Sequence, residues 1–357
     1  MNGLSLRTNI VHGNYNDQEY NHYIAIDWAL SNAALARCTR KNSRPKVMEF
    51  ESDVKIVKKY LSELKGTIIL TIEETTTSQW LYVELKRFVD RVVICDPYRN
   101  RLLSEGPKTD KIDAKKLLQL LRAGLLKEVF HCCDSLYELR KLESAYNDLI
   151  NAGVRLQNQR SAFYRAKGCQ YTKHSSAELK ERTKEQKYSQ FITDLQDQHI
   201  EQYRTAKVQF ERMIDEVVRE NQVIKNLTGL PGIGNISALT IYSRVIQPGR
   251  FKKSGKYLSY CGLVWHKKES GNKSYGKRQG RYCRQLKSIY KRSARITIYS
   301  GQGPLFEYYE TLVDKGLTHS QAVLMAARYL AKVSLGMMKT GQKYEPYRWR
   351  KTEKDTA

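Results

Sequence analysis

Acidic side chains are scarce in this chain: 37 Asp and Glu stand against 62 Lys and Arg, a formal charge of +25 at neutral pH. A surplus of that size calls for a polyanion, and its clustering favours nucleic acid. Long apolar runs are absent too. No stretch of about eighteen hydrophobic residues occurs, which excludes an apolar membrane-spanning helix, and the opening MNGLSLRTNIVHGNYNDQEYNHY lacks the apolar core of a secretory leader. The protein is therefore expected in the cytoplasm, associated with the nucleoid. Cysteines are few, and Cys38, Cys95, Cys132, Cys133, Cys169, Cys261 and Cys283 form no CxxC pair and have no histidines at zinc-ligand spacing. That excludes a zinc finger and predicts reduced, structural thiols.

The 357 residues are 41% hydrophobic and 28% charged, enough for two or three packed domains. Positive charge peaks between Arg244 and Ser300, where Glu269 is the one acid and Tyr257, Tyr260, Trp265, Tyr275, Tyr282 and Tyr290 are interleaved with lysines and arginines. Such a surface neutralises phosphates and stacks on bases. A merely basic protein of ribosomal or membrane-surface type is the alternative, and it leaves the placement of the acids unexplained.

From Tyr20 the pattern reads as three short strands (YIAIDWAL, AALARCTR, KVMEF), then helices alternating with strands. Asp53 is placed to cap the helix VKIVKKYLSEL. TIILTIEE is a buried strand ending in Glu73 and Glu74, SQWLYVELKRF a helix, RVVICDP a strand stopped by Pro97, and KTDKIDAKKLLQLLRAG a final helix. This is the element order of a ribonuclease H-like α/β fold. Asp27 falls on the first strand, Glu73 or Glu74 at the end of the fourth, and Asp110 and Asp113 three residues apart on the last helix. Residues so spaced face one point. A cluster of carboxylates repels itself unless a hard cation such as Mg²⁺ takes its oxygens, so these acids are candidate metal ligands. Glu73 is preferred, with Glu74 the alternative; Asp110 has the rival role of helix N-cap.

Farther on, Leu136, Leu139, Leu142, Tyr146 and Leu149, then Leu195, Ile200, Tyr203, Val208, Met213 and Val217, recur at helical spacing. They predict two long antiparallel helices joined by the polar linker KGCQYTKHSSAELKERTKEQKYS, a spacer and oligomerisation hairpin of coiled-coil type, with His174 an ordinary linker residue. LTGLPGIGNISALTIYSRV sets Gly232 and Gly234 between two apolar helical stretches, which resembles a helix-hairpin-helix that brings backbone N–H groups to a phosphate. In YCGLVWHKKESGNKSYGKRQGRYCRQLKSI, residue types alone read Ser270–Gly271 as a turn, and His266 is not at a spacing that marks a Ser–His pair. Ala322, Met325, Ala326, Tyr329, Leu330 and Val333 form an apolar stripe expected in a core.

Three segments carry a family resemblance. IAIDWA, TIEETT and above all KTDKIDAKKLLQLLRAG resemble the motifs of DEDD transposases of bacterial insertion sequences of the 110 type, a group related to Piv-type DNA invertases that includes bridge-RNA-guided recombinases. The resemblance runs from about Tyr20 to Pro346 and implies that Asp27, Glu73, Asp110 and Asp113 bind Mg²⁺. The turn reads EETT, without the family's usual glycine. It further implies that the serine of the Ser-Gly element, Ser270, is a nucleophile on DNA, although Trp265 stands for the family's proline and Glu269 for a frequent second serine. Ser274 is the alternative nucleophile. A basic helix follows in the family, which makes Lys277, Arg281 and Arg284, together with Lys267, Lys268, Lys273 and Arg278, expected nucleic-acid contacts.

The expected organisation is an N-terminal extension (1–20), a ribonuclease H-like domain (21–130), a helical coiled-coil region (131–225), a mainly α transposase domain (226–346) and a basic tail (347–357). The function so implied is a DNA transposase or recombinase working as a homo-oligomer, with a structured guide RNA as a further partner. A RuvC-like nuclease using the acids alone and a non-catalytic nucleic-acid binder are the rival readings. No recognition helix stands out, so target choice is not written in the chain.

Overall fold

The computed structural model describes residues 15, 18–100, 109–131, 134–169, 175–271 and 273–347. Most of the expected N-terminal extension and basic tail, with Cys132, Cys133 and His174, lies outside them. The chain forms two compact units, Met1–Asp134 and Ser135–Ala357.

In the first unit the elements run β1 (His22–Trp28), β2 (Asn32–Thr39), β3 (Lys46–Glu51), α1 (Val54–Ser62), β4 (Ile68–Glu73), α2 (Ser78–Leu85), β5 (Arg91–Cys95), α3 (Pro97–Asn100) and α4 (Asp110–Arg122). The sheet order is β3-β2-β1-β4-β5. β1 pairs antiparallel with β2 and parallel with β4, and β5 extends the parallel side. Crossovers through α1 and α2 make those parallel pairings possible. This is the mixed sheet expected of a ribonuclease H-like domain.

Both sheet faces are buried, and their side chains differ. Ile24, Ile26, Leu35, Ile68, Leu70 and Ile72 point to the face that Val57 and Leu61 of α1 and Leu81 and Leu85 of α2 cover. Alternation sends Ala25, Ala34 and Ala36 to the other face, where Ala114, Leu117, Leu118 and Leu121 of α4 lie on them. Small side chains there let α4 come close to the central strands. α1 starts where expected, because the Asp53 carboxylate accepts from Lys55 N at 2.8 Å.

The second unit is mostly helical: α5 (Asp134–Ala166), α6 (Ser175–Thr183), α7 (Lys187–Glu220), α8 (Gln222–Leu227), α9 (Asn235–Val245), α10 (Ser254–Tyr260), the strands β6 (His266–Ser270) and β7 (Lys273–Arg278), α11 (Arg284–Tyr299), α12 (Pro304–Asp314) and α13 (His319–Thr340). α5 and α7 run antiparallel, as their contacts trace: Tyr146 donates to Glu211 at 3.0 Å, Gly153 faces the Tyr203 ring, and Arg160 pairs with Asp197 at 2.6 Å. The buried Arg160 guanidinium also lies 4.8 Å from the Tyr164 ring centroid. Tyr146, Ile214 and Val218 at the far ends of these helices join one core with α8–α13. Much of the stripe foreseen on α13 is there, with Ala322, Ala326 and Leu330 fully buried.

Two local expectations are corrected. The joining segment expected to be only a polar linker contains α6, whose buried Leu179 and Thr183, four residues apart, share one helix face; Leu179 packs with Tyr164 and Cys169. One apolar anchor among charges left no periodic signal. The basic stretch after Ser270, expected as helix, first forms a strand, and α11 begins only at Arg284. Gly276, at φ +93°, and Gly280 keep 273–283 from continuing as a helix. Lys277 and Arg278 therefore sit on β7, with Arg281 in the connection. Among the described residues no helix is long and apolar enough to cross a membrane.

Candidate functional site

The parallel β1/β4 ladder pairs Ile26 with Ile72, so Asp27 and Glu73 are the next residues at the same end of adjacent strands. Strand alternation assigns them a common face. Asp27 follows the parity of Ala25, and Glu73 is in register with Cys95, both residues of the α4-covered side. Glu74 has the opposite parity, lies past the strand end and is exposed; its backbone N–H donates to Cys95 O at 2.9 Å. The register thus selects Glu73 as the glutamate on the side of the other acids.

α4 supplies those acids. Its first turn carries Asp110 and Asp113, and its buried leucines hold the helix against the same sheet face. The N-cap is Thr109, whose hydroxyl accepts from Ile112 N at 3.3 Å. Asp110 is therefore not occupied as the cap, and the helix N-terminus stabilises both carboxylates. This cap is a positioning residue that the sequence reading missed, although a Thr just before an acidic first turn is its usual signature. Lys116 approaches Asp113 at 3.9 Å, and Lys111 turns away to pair with Glu49 at 2.7 Å.

The electrostatics tie the four acids together. Asp27 is raised to about 6, first because burial strips water from its carboxylate and then because Asp110, Asp113 and Glu73 add negative charge around it. Among the described residues no group of three or more His, Cys, Asp or Glu is set to hold a metal ion as the side chains stand. Like charge opposes closer convergence of these carboxylates. The donor set is wholly carboxylate oxygen, which fits a hard divalent cation and not zinc or copper.

Ser270 is the last residue of β6, in the second unit, opposite Lys273 across an antiparallel ladder that is exposed along its length. Gly271, at φ +55°, turns the chain. Ser274 is instead opposite Glu269. Directly paired residues share a face, so a phosphate at Ser270 meets an ammonium and one at Ser274 meets a carboxylate. His266 engages the Ser259 hydroxyl at 3.2 Å. Lys267, which forms a 3.5 Å ion pair with Glu269, and Lys268 lie on β6; Lys273, Lys277 and Arg278 lie on β7.

Gly232, at φ +70°, is required by packing: a Cβ there would stand 2.8 Å from Ser293 O, and its own carbonyl accepts from the Ser293 hydroxyl at 2.8 Å. Gly234 precedes α9 with open space where a Cβ would be. Next to it Asn235 donates to Asp215 at 2.7 Å, beside a cavity of about 930 Å³ walled by Glu143, Glu211 and Asp215 as well as Lys207 and Arg292. A phosphate at this helix end would meet mixed charge.

The first unit is thus a mixed α/β domain with Asp27 and Glu73 at the same end of adjacent strands and Asp110 and Asp113 in the first turn of α4, and the second is basic and mostly helical. Two family models match the chain, a DEDD-type transposase model over residues 24–164 and one described as "Transposase IS116/IS110/IS902 family" over residues 224–310. Together they cover more than half of the sequence, and the chain belongs to this insertion-sequence 110-type family of DEDD transposases. An uncharacterized 44.8 kDa protein of insertion element IS116 from Streptomyces clavuligerus is 28% identical over 137 residues, 38% of this chain and 34% of that protein. A 43.6 kDa protein of insertion element IS110 from Streptomyces coelicolor is 29% identical over 136 residues, 38% of this chain and 33% of that protein. The match thus spans about a third of the length of these relatives.

Proposed function

We infer that the protein is the DNA transposase of an insertion element, cutting and rejoining DNA by phosphoryl transfer. The observation that carries this reading is Asp27, desolvated and raised to about 6 among Asp110, Asp113 and Glu73 in a chain of net charge +25. Burying like charges is costly unless a cation joins them, and these four residues would hold Mg²⁺. Bound there, the ion would supply Lewis-acid stabilisation of a phosphoryl oxygen and of the departing oxygen.

Ser270 is the nucleophile in this reading. Its Oγ–P bond forms as the bond from phosphorus to one strand end breaks, and the hydroxyl proton leaves with the departing oxygen. The phosphoserine conserves the phosphodiester energy, so the reverse attack by a new strand end reseals DNA without ATP. Lys273 opposite Ser270 supports the choice, and Lys267, Lys268, Lys277, Arg278, Arg281 and Arg284 would draw in the phosphate backbone. Gly232 and Gly234 belong to the helix-hairpin-helix part of the reading, as the turn ahead of α9. Exchange of strands needs several ends held together, hence a homo-oligomer, with α5 and α7 the candidate interface. A structured guide RNA completes the assembly; sequencing the nucleic acid that copurifies with the protein tests for it.

The deciding experiment is strand cleavage and joining on plasmid DNA in Mg²⁺. Asp110→Asn should abolish both steps, Ser270→Ala should abolish cleavage, joining and the covalent protein–DNA adduct, and Ser274→Ala should retain them. Normal cleavage by Ser270→Ala with a dead Asp110→Asn would make the protein a RuvC-like nuclease. Binding that survives loss of all four acids, without any Mg²⁺-dependent chemistry in the wild type, would make it a non-catalytic binder.

A further inference from the structure

α11 carries a second basic surface, distinct from the hairpin that holds Ser270. Along this 16-residue helix Arg284, Ser288, Lys291, Arg295 and Tyr299 recur at helical spacing on one face. The helix is about 24 Å long, enough to follow several nucleotides of an extended strand. A groove of about 610 Å³ lies along it, and its cationic walls are Arg284, Lys287, Lys291, Arg292 and Arg295. Among the described residues no carboxylate lines it.

The apolar part of the groove decides what kind of polyanion fits. Ser288, Tyr282, Ile296 and Tyr299 complete the lining, and Tyr299 is 76% and Ile296 55% exposed. Lys287 lies 4.5 Å from the Tyr282 ring centroid and bonds to its hydroxyl at 3.3 Å, which fixes that ring at one end. A duplex offers its backbone and groove edges, and its base faces are already stacked. Aromatic faces beside a row of cations suit unpaired bases on a phosphate backbone.

We propose that the α11 groove binds single-stranded DNA, with Tyr299 stacking on a base and Lys291 and Arg295 neutralising its phosphates. This rests on the reading of DNA as substrate, and gives the opened strand a place to lie while its neighbour is cut.

The test is equilibrium binding of the full-length protein to a fluorescent thymidine oligonucleotide, a duplex of equal length and a uridine oligonucleotide. Tyr299→Ala should weaken thymidine-strand binding about tenfold and change duplex binding by less than about twofold, whereas Tyr299→Phe should retain both. Lys291→Gln with Arg295→Gln should reduce the salt dependence for the single strand by about 1.4 in log–log slope. Weakening on the thymidine strand supports the proposal whether or not the uridine strand follows. Unchanged thymidine binding, equal loss on the duplex, or loss on the uridine strand alone overturns it. Arg295 and Tyr299 are exposed and Lys291 is half-buried, and unchanged thermal melting checks that the variants fold. Asp110→Asn and Ser270→Ala run alongside separate the two conclusions: normal cleavage by both would refute the transposase reading while the groove result stands on its own.

Discussion

Replacing Asp27 with Asn should stabilise the metal-free protein. An Asp in the unfolded chain titrates near 3.8, and in the fold burial and the neighbouring acids raise Asp27 to about 6. The folded state therefore holds this proton more tightly, and ionising the group costs stability. The sign follows: the penalty is absent below the unfolded value, grows between about pH 4 and pH 6, and is complete above that window. At about 1.4 kcal/mol per pKa unit the shift corresponds to at most about 3 kcal/mol. Asp27 is partly exposed, so solvent screening reduces this to about 1 kcal/mol. Asn has nearly the same shape and no charge. With metal chelated near pH 7.5, the melting transition of the first unit should rise by about 4 °C, and the difference should shrink through pH 5 and vanish below about pH 4. Added Mg²⁺ should raise the wild-type transition and leave the variant nearly unmoved. Scanning calorimetry with and without chelator measures all of this. A variant that melts at or below wild type in chelator at neutral pH, or that gains as much from Mg²⁺, would refute the reasoning.

Two further substitutions test how the sites are held. Thr109→Ala removes the hydroxyl that caps α4 and should cost about 1 kcal/mol; by loosening the turn that carries Asp110 and Asp113 it should also raise the Mg²⁺ concentration needed for half-maximal thermal shift, and Thr109→Ser should restore both. Gly232→Ala forces a Cβ against the Ser293 backbone in a left-handed conformation and should cost about 2–4 kcal/mol, seen as a lower denaturation midpoint of the second unit.

Sequence pattern carried the first unit further than the second. Period-two alternation and the Asp53 cap are local signals, so the order of three strands followed by alternating helices and strands was legible. What sets Glu73 and Glu74 on different sides is not local: it is the register of β4 against β1 and β5, and a one-residue shift there turns a side chain to the opposite sheet face. The cap on α4 was legible in kind, but Thr109 and Asp110 are both good capping residues, and only backbone geometry separates them. In the second unit α6 escaped notice because a single leucine anchors it. The strands β6 and β7 escaped for a related reason: both are exposed throughout, so burial imposed no hydrophobic alternation on them.

The hairpin and the acid cluster pose opposite physical problems, and the contrast bears on how each would work. Lys267, Lys268, Lys273, Lys277 and Arg278 are all exposed, so water screens them, and their attraction for phosphate falls steeply with salt. Asp27 is partly withdrawn from water, so its interactions with Glu73, Asp110 and Asp113 are screened less. A cation that joins these acids recovers the electrostatic energy that folding has set against them, which makes ion binding a stabilising event for the domain as well as a chemical one. Adding salt should then separate the two sites: DNA attraction at the hairpin should weaken by orders of magnitude over a range where the Mg²⁺-induced thermal shift declines far less. A thermal shift that fades with salt as steeply as DNA binding would mean that the acids are solvated surface charges, and the metal reading would fall with that result.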